Sequence, residues 1–129
     1  MSRFENPTTG EVVEVLDETP ELLVMRVTWP RPGRRALAHI HPGMQERWEV
    51  VVGRAGFDID GVVTELDVGE SVVAEAGQRH VAWNASDAEA VLRIEMWPAL
   101  RWTEFVRRLF AGEPPAELLA EFTDEVRIA

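Results

Sequence analysis

The sequence predicts an all-β protein, a sandwich or barrel of short strands followed by one or two short C-terminal helices. Three observations carry that prediction. Gly or Pro interrupts the apolar pattern every few residues, leaving roughly eight to ten short candidate strands at regular spacing. Beyond residue 100 the apolar residues change to helical spacing. The 129 residues suffice for one real core but not for two ordinary domains, so 1–129 is read as a single unit, with the barrel at about 10–98 and the helical tail at about 101–126.

Taken in order, Asn6-Pro7-Thr8-Thr9-Gly10 is a turn cluster. Residues 12 to 16 and 22 to 29, rich in Val and Leu, read as strands joined through residues 17 to 20. Pro30-Arg31-Pro32-Gly33 stops the second of them, and residues 35 to 41 read as a third. Residues 46 to 52 form the next strand, ended by Gly53. Residues 57 to 60 and 62 to 66 flank Asp60-Gly61, a strong hairpin signal because both turn residues tolerate positive φ. Strands at 71 to 74, 80 to 83 and 90 to 97 complete the series. In the tail, Trp102, Phe105, Val106, Leu109 and Phe110 form one stripe and Leu118, Leu119, Phe122 and Val126 another. Gly112 is the expected stop of the first helix, Arg107 and Arg108 favour its C-terminal end, and Pro114-Pro115 opens the second. Both stripes are read as packing against the barrel or a partner subunit.

Composition removes several classes of function. The formal charge of −10, with no basic footprint, argues against nucleic acid. No run approaches the ~18 apolar residues of a membrane span. The first residues lack the apolar core of a secretory signal, so the expected location is cytoplasmic. There is no Cys, Lys or Tyr, which removes disulfides, thiol nucleophiles, lysine Schiff bases and phenolic acids. Ser2, Ser71 and Ser86 are the only serines, and none sits in a nucleophile elbow.

The chemistry is concentrated in His39-Ile40-His41-Pro42-Gly43-Met44-Gln45-Glu46. Histidines one residue apart on a strand share a face, and a Pro-Gly turn then returns a carboxylate toward them. Imidazole with carboxylate suits a divalent transition metal. The third and last histidine is His80, in Gly77-Gln78-Arg79-His80. Glu49 is a weaker rival ligand, since strand parity sends it to the face opposite Glu46.

Two spacings stand out. One is Gly33, five residues, His39-x-His41, four residues, Glu46, six residues, Gly53. The other is Gly69, seven residues, Gly77, two residues, His80, three residues, Asn84. In order and spacing they resemble the two signature motifs of the cupin superfamily, and the flanking segments are similar to small single-domain bacterial cupins. The resemblance implies a double-stranded β-helix, or jelly roll, and one divalent ion (Zn, Fe, Mn, Ni, Co or Cu) held by His39, His41, Glu46 and His80. It leaves function open, because that superfamily includes oxygenases, isomerases, cyclases and non-catalytic binders. The sugar-epimerase branch, which uses a His and Tyr pair, is disfavoured by the lack of Tyr. Where the second motif usually has Pro, this chain has Glu75, read as a solvated loop carboxylate. Asn84 is read as a cap of the strand turn.

Parity gives an expected pocket lining. Trp48 and Val50 share the face of Glu46, Ala82 that of His80, and Ile94 and Met96 the apolar face of the last strand. Leu37 shares the face of His39 and His41. Trp83 faces outward. Arg26 is a candidate anchor for a substrate carboxylate, against the alternative of an edge-strand or salt-bridged arginine. Such a pocket, mostly apolar with one metal, suits a small organic ligand with an oxygen donor. Three functions remain: a metal-dependent enzyme of dioxygenase, cyclase or isomerase type; a non-catalytic ligand binder; and a vestigial barrel, which the full ligand set argues against. Outward Trp83 and the apolar N-terminal strands predict a homodimer.

Overall fold

The computed structural model describes residues 2–34 and 37–129. In chain order the strands are β1 (Arg3–Glu5), β2 (Val12–Glu18), β3 (Leu23–Trp29), β4 (Gly33–Arg34), β5 (His39–Ile40), β6 (Gln45–Val52), β7 (Ala55–Ile59), β8 (Val62–Leu66), β9 (Ser71–Ala74), β10 (His80–Asn84) and β11 (Ala90–Trp97). Helices α1 (Trp102–Phe110) and α2 (Pro115–Glu121) follow, and β12 (Arg127–Ile128) ends the chain.

Two antiparallel sheets result. One runs β1-β2-β3-β11-β6-β9 and the other β12-β5-β10-β7-β8, with β4 also pairing β10. Their inner faces share one apolar core, in which Trp48 of the first sheet meets Phe57 of the second at 5.1 Å between ring centroids. This is the predicted all-β jelly roll with two short helices. Alternation explains it locally: in β6, Glu46, Trp48 and Val50 are buried while Arg47 and Glu49 are half-exposed. Across the sheet Ile94 lies between Trp48 and Met25, so the inward rows coincide. On the outer face, Arg47 pairs with Glu49 and Glu95 and Arg93 with Glu95, which occupies Glu49 away from the histidines.

Asp60 and Gly61 form the expected two-residue turn, with φ of 50° and 86° and Ile59 paired to Val62. Asn84 does more than cap a turn. Its Nδ2 donates to the carbonyls of Trp29, Arg31 and Ala88, and its Oδ1 accepts from the Ser86 N–H and hydroxyl. One buried amide thus ties β3, β10 and the loop before β11 together. Trp83 faces outward as expected, but it lies flat across Gly56. A Cβ there would come within 2.1 Å of the indole, so only glycine permits the contact.

The differences from expectation are in the short elements. β1, β4 and β12 carry no sequence pattern long enough to announce them. The strand expected at 35 to 41 is not continuous: β5 covers His39 and Ile40 only, residues 37 and 38 are irregular, and residues 35 and 36 lie outside the described set.

The tail buries or half-buries the apolar residues of both stripes, but α2 stops at Glu121, so Val126 lies beyond the helix instead of on it. Phe122 is wholly buried, stacked edge-on with Phe105, and the Arg101 guanidinium lies 4.4 Å from its ring centroid. Gly112, at φ 94°, follows the C-cap Ala111. The Arg101–Glu104, Arg101–Glu121 and Arg108–Glu113 pairs decorate this unit, but they are solvent-screened and contribute little beside the aromatic packing.

Candidate metal centre

His39 opens β5, His41 directly follows that strand, Glu46 is the second residue of β6 and His80 opens β10. The register places His80 directly opposite His39, and this cross-strand pairing brings the two motifs together. The ring centroids of His39, His41 and His80 are 4.5–5.0 Å apart. One ligand-type atom from each histidine lies within 4.8 Å of the others. Glu46 sits against two of the three, its Oε1 2.9 Å from His41 Nε2 and 3.5 Å from His80 Nε2.

All three rings are oriented through their other nitrogen. Nδ1 of His39 donates to the Leu37 carbonyl at 2.7 Å, that of His41 to Glu125 at 2.8 Å, and that of His80 to Gln78 at 3.1 Å. A carbonyl can only accept, so each Nδ1 carries the proton. The three Nε2 atoms are thereby committed to the centre, the usual outer arrangement around a metal-binding imidazole. His80 Nε2 is buried without a hydrogen-bond partner among the described residues. A buried nitrogen lone pair left unused costs about 1–3 kcal/mol unless something occupies it.

The electrostatics favour a cation. Burial, the largest influence on His41, pulls its pKa down, but the hydrogen bond and charge of Glu46 push it above the usual value. Burial opposes ionisation of Glu46 as well, yet the hydrogen bond to His41 and the nearness of both the His41 and His80 imidazoles bring it down to about 2. His39 is lowered to about 4, chiefly by burial and then by His80. Without a metal, a proton on His41 supplies the positive charge that Glu46 balances. The donor set therefore fits a divalent ion: three oriented imidazoles, one carboxylate already ionised, and one lone pair without a partner.

Beside this cluster lies a cavity of about 350 Å³. Trp48, Ala82, Ile94, Glu46, His39 and His80 are on its wall, as is Leu37, which is otherwise exposed. Val50 and Met96 are buried but do not line it. Val50 pairs with Leu92 in the packed core, and Met96 sits beside Glu46 at the end of the sheet. Arg26 is a correction. It is exposed on the outer face of β3, because the inward residues of that strand are Leu23, Met25, Val27 and Trp29. The parity argument failed there because Val24, on the outer face, is also buried and hides the alternation. Glu75 is exposed; its N–H donates to Gln78 Oε1, and its carboxylate meets the Gln45 side-chain amide when that amide is oriented to accept from Trp97 Nε1.

Sequence reasoning missed the tail's part in this site. Trp102, Phe105, Val106, Leu109 and Phe110 of α1, with Pro115 and Leu119 of α2, form much of the cavity wall. Trp102 also meets His41 edge-on at 5.0 Å. Glu125, 4% exposed, gives its backbone carbonyl to His41, and its side chain accepts from the Arg101 N–H at 3.1 Å, at the start of α1. A stripe at helical spacing shows that a helix packs, not what it packs against, and a carbonyl partner leaves no mark in side-chain identity.

Comparisons with known proteins agree with this geometry. A family model described as a cupin domain matches residues 27–97, more than half of the chain. A protein named polyketide synthase CurC, from Streptomyces cyaneus, is 34% identical over 68 residues, 53% of this chain and 44% of CurC. The match thus spans less than half the length of that relative. The structure of KdgF from Halomonas sp. aligns with a TM-score of 0.71 at 17% identity, covering 80% of this chain and 91% of that one. An uncharacterised conserved protein with a double-stranded β-helix domain from Klebsiella pneumoniae aligns with a TM-score of 0.62 at 26% identity, over 70% of this chain and 74% of that one.

Proposed function

The chain belongs to the cupin family, and on that footing we propose that His39, His41, His80 and Glu46 hold one divalent transition-metal ion beside which the cavity receives a small organic molecule. The observation that carries the reading is the common aim of the three imidazoles: each Nδ1 is tied to a carbonyl, and His80 Nε2 is buried without a partner among the described residues. When bound, such an ion supplies Lewis-acid polarisation of an oxygen donor or a site for dioxygen.

The chain's own residues do the rest. The Leu37, Glu125 and Gln78 carbonyls fix the rings, and Glu46 balances the charge. The α1 wall excludes water from the ligand. In the metal-free protein His41 and Glu46, 2.9 Å apart, share a proton that the ion would displace. Cyclase or isomerase chemistry is one reading and dioxygenase chemistry another, and the similarity to a protein named polyketide synthase makes a polyketide-like compound a candidate ligand. A non-catalytic ligand binder is the alternative. The functional unit in this reading is a homodimer, which a monomeric mass at micromolar concentration would refute.

The deciding experiment is elemental analysis of protein prepared without a chelating tag. About one transition-metal ion per chain is expected, lost in His41→Ala. Metal content unchanged by that substitution, or no metal retained by the parent protein, would contradict the assignment. Oxygen uptake with aromatic and dicarbonyl compounds then separates enzyme from binder.

A further inference from the structure

Two indoles flank the imidazole cluster, and they come from different parts of the chain. Trp48, on β6, meets His80 edge-on with ring centroids 5.2 Å apart. Trp102, the first residue of α1, meets His41 edge-on at 5.0 Å and continues into Phe105 at 5.1 Å. Both indoles line the cavity. Trp102 lies outside the matched segment 27–97, so the family match says nothing about it.

Trp29, whose Nε1 donates to Glu11, also lines the cavity. Trp29 pairs with Ala90, whereas Glu46 pairs with Met96, six residues along the same strand. At ~3.4 Å per residue the two levels are about 20 Å apart. The wall between them is mainly hydrocarbon and ring carbon, including Val13, Met25, Val27 and Ile94. A sugar or a small dicarboxylic acid needs polar partners along its length, and this stretch offers few. A flat aromatic body does not need them, and indole or phenyl faces reward it beyond simple area burial.

We infer that the ligand of this site is a planar aromatic compound with adjacent oxygen donors, its donors at the imidazole cluster and its rings against Trp48 and Trp102. Trp102 is then a specificity-determining residue supplied by the tail. This inference rests on the metal-centre reading above for the placement of the donors, but not for the aromatic slot itself.

The test is calorimetric titration of the full chain, loaded with Zn²⁺, using 2,3-dihydroxynaphthalene and its saturated counterpart decahydronaphthalene-2,3-diol. Each favourable ring pair is worth roughly two- to tenfold in affinity. A phenolic diol also gives up its protons to zinc more readily than an aliphatic one, so the ring contribution is read as the part of the aromatic diol's preference, roughly two- to tenfold, that depends on the indoles. Trp102→Leu should weaken binding of the aromatic diol by about two- to tenfold while the affinity for the saturated diol and the zinc stoichiometry stay at the parent values. Equal affinities for the two diols in the parent protein overturn the proposal, whether or not the variant folds. An undiminished preference in Trp102→Leu rejects the role of Trp102. Should the parent protein retain no zinc, the metal reading fails by itself. The slot is then judged on metal-free protein with 2-naphthol against decahydro-2-naphthol, where the same ratio decides.

Discussion

The histidine end of the cavity and its helical wall are built in different ways. Side chains at the histidine end are placed by backbone register: His80 opposite His39, and Glu46 beside Met96, follow from ladder pairing. The wall is placed by packing, with Phe122 and Phe105 wedging α1 and α2 onto the barrel mouth. The two meet at the hydrogen bond from His41 Nδ1 to the Glu125 carbonyl, at the Trp102–His41 ring contact and where β12 pairs with β5. What the barrel motif encodes is therefore incomplete without the tail.

Phe122→Ala breaks that comparison most directly. Removing a fully buried aromatic costs about 3–5 kcal/mol, read from the denaturant midpoint. If the tail orients His41, metal affinity should also fall by about 10- to 100-fold, as losses of outer-shell partners do. Full metal affinity in a destabilised but folded Phe122→Ala protein would mean that the barrel alone places His41.

Acid titration of the metal-free protein separates the members of the histidine end. His39, lowered to about 4, stays neutral when folded but takes a proton near 6.5 when unfolded. Stability is therefore lost as pH falls from about 6.5 to about 4, by up to about 3 kcal/mol. Glu46, at about 2, adds a further loss below about 4.5. His41 has the opposite sign: its raised pKa gives stability fully present below about 6.5 and lost as pH rises through its folded value. The metal-free stability profile should thus peak near pH 6.5, and histidine NMR should show His39 titrating far below His41. A flat profile would contradict the coupling among the three rings.

Much of this was legible in the sequence, for reasons that differ by element. Long strands announced themselves by alternation, as β6 and β11 did. The Asp60-Gly61 turn did so through the φ its residues allow. The candidate ligands were legible because only three histidines exist and their spacing is specific. β12 was not legible, since two residues, Arg127 and Ile128, form it and its partner β5 is equally short. Arg26 was misplaced because burial on both faces of β3 erased the period on which the argument relied.

Asn84→Ala is the next smaller effect and acts on the barrel alone. It leaves the carbonyls of Trp29, Arg31 and Ala88 without this donor and Ser86 without its acceptor. Nearby water can reach part of this loop, so the cost should be about 2 kcal/mol rather than the sum of the bonds. Metal stoichiometry should not change, because Asn84 lies at the opposite end of β10 from His80.

Arg26→Ala should do least, and its smallness is informative. On β3 Arg26 stands beside Glu14 on one side and Arg93 on the other, exposed on the outer face. A favourable neighbour and an unfavourable one at such a surface nearly cancel, so stability should change by no more than about 0.5 kcal/mol. Calorimetry with 2,3-dihydroxynaphthalene should give the parent affinity. If instead a carboxylate-bearing probe lost affinity in Arg26→Ala, the inward row of β3 would have to be Val24 and Arg26 rather than Met25 and Val27. That one-residue slip would turn the cavity's hydrocarbon wall outward and replace it with a charge.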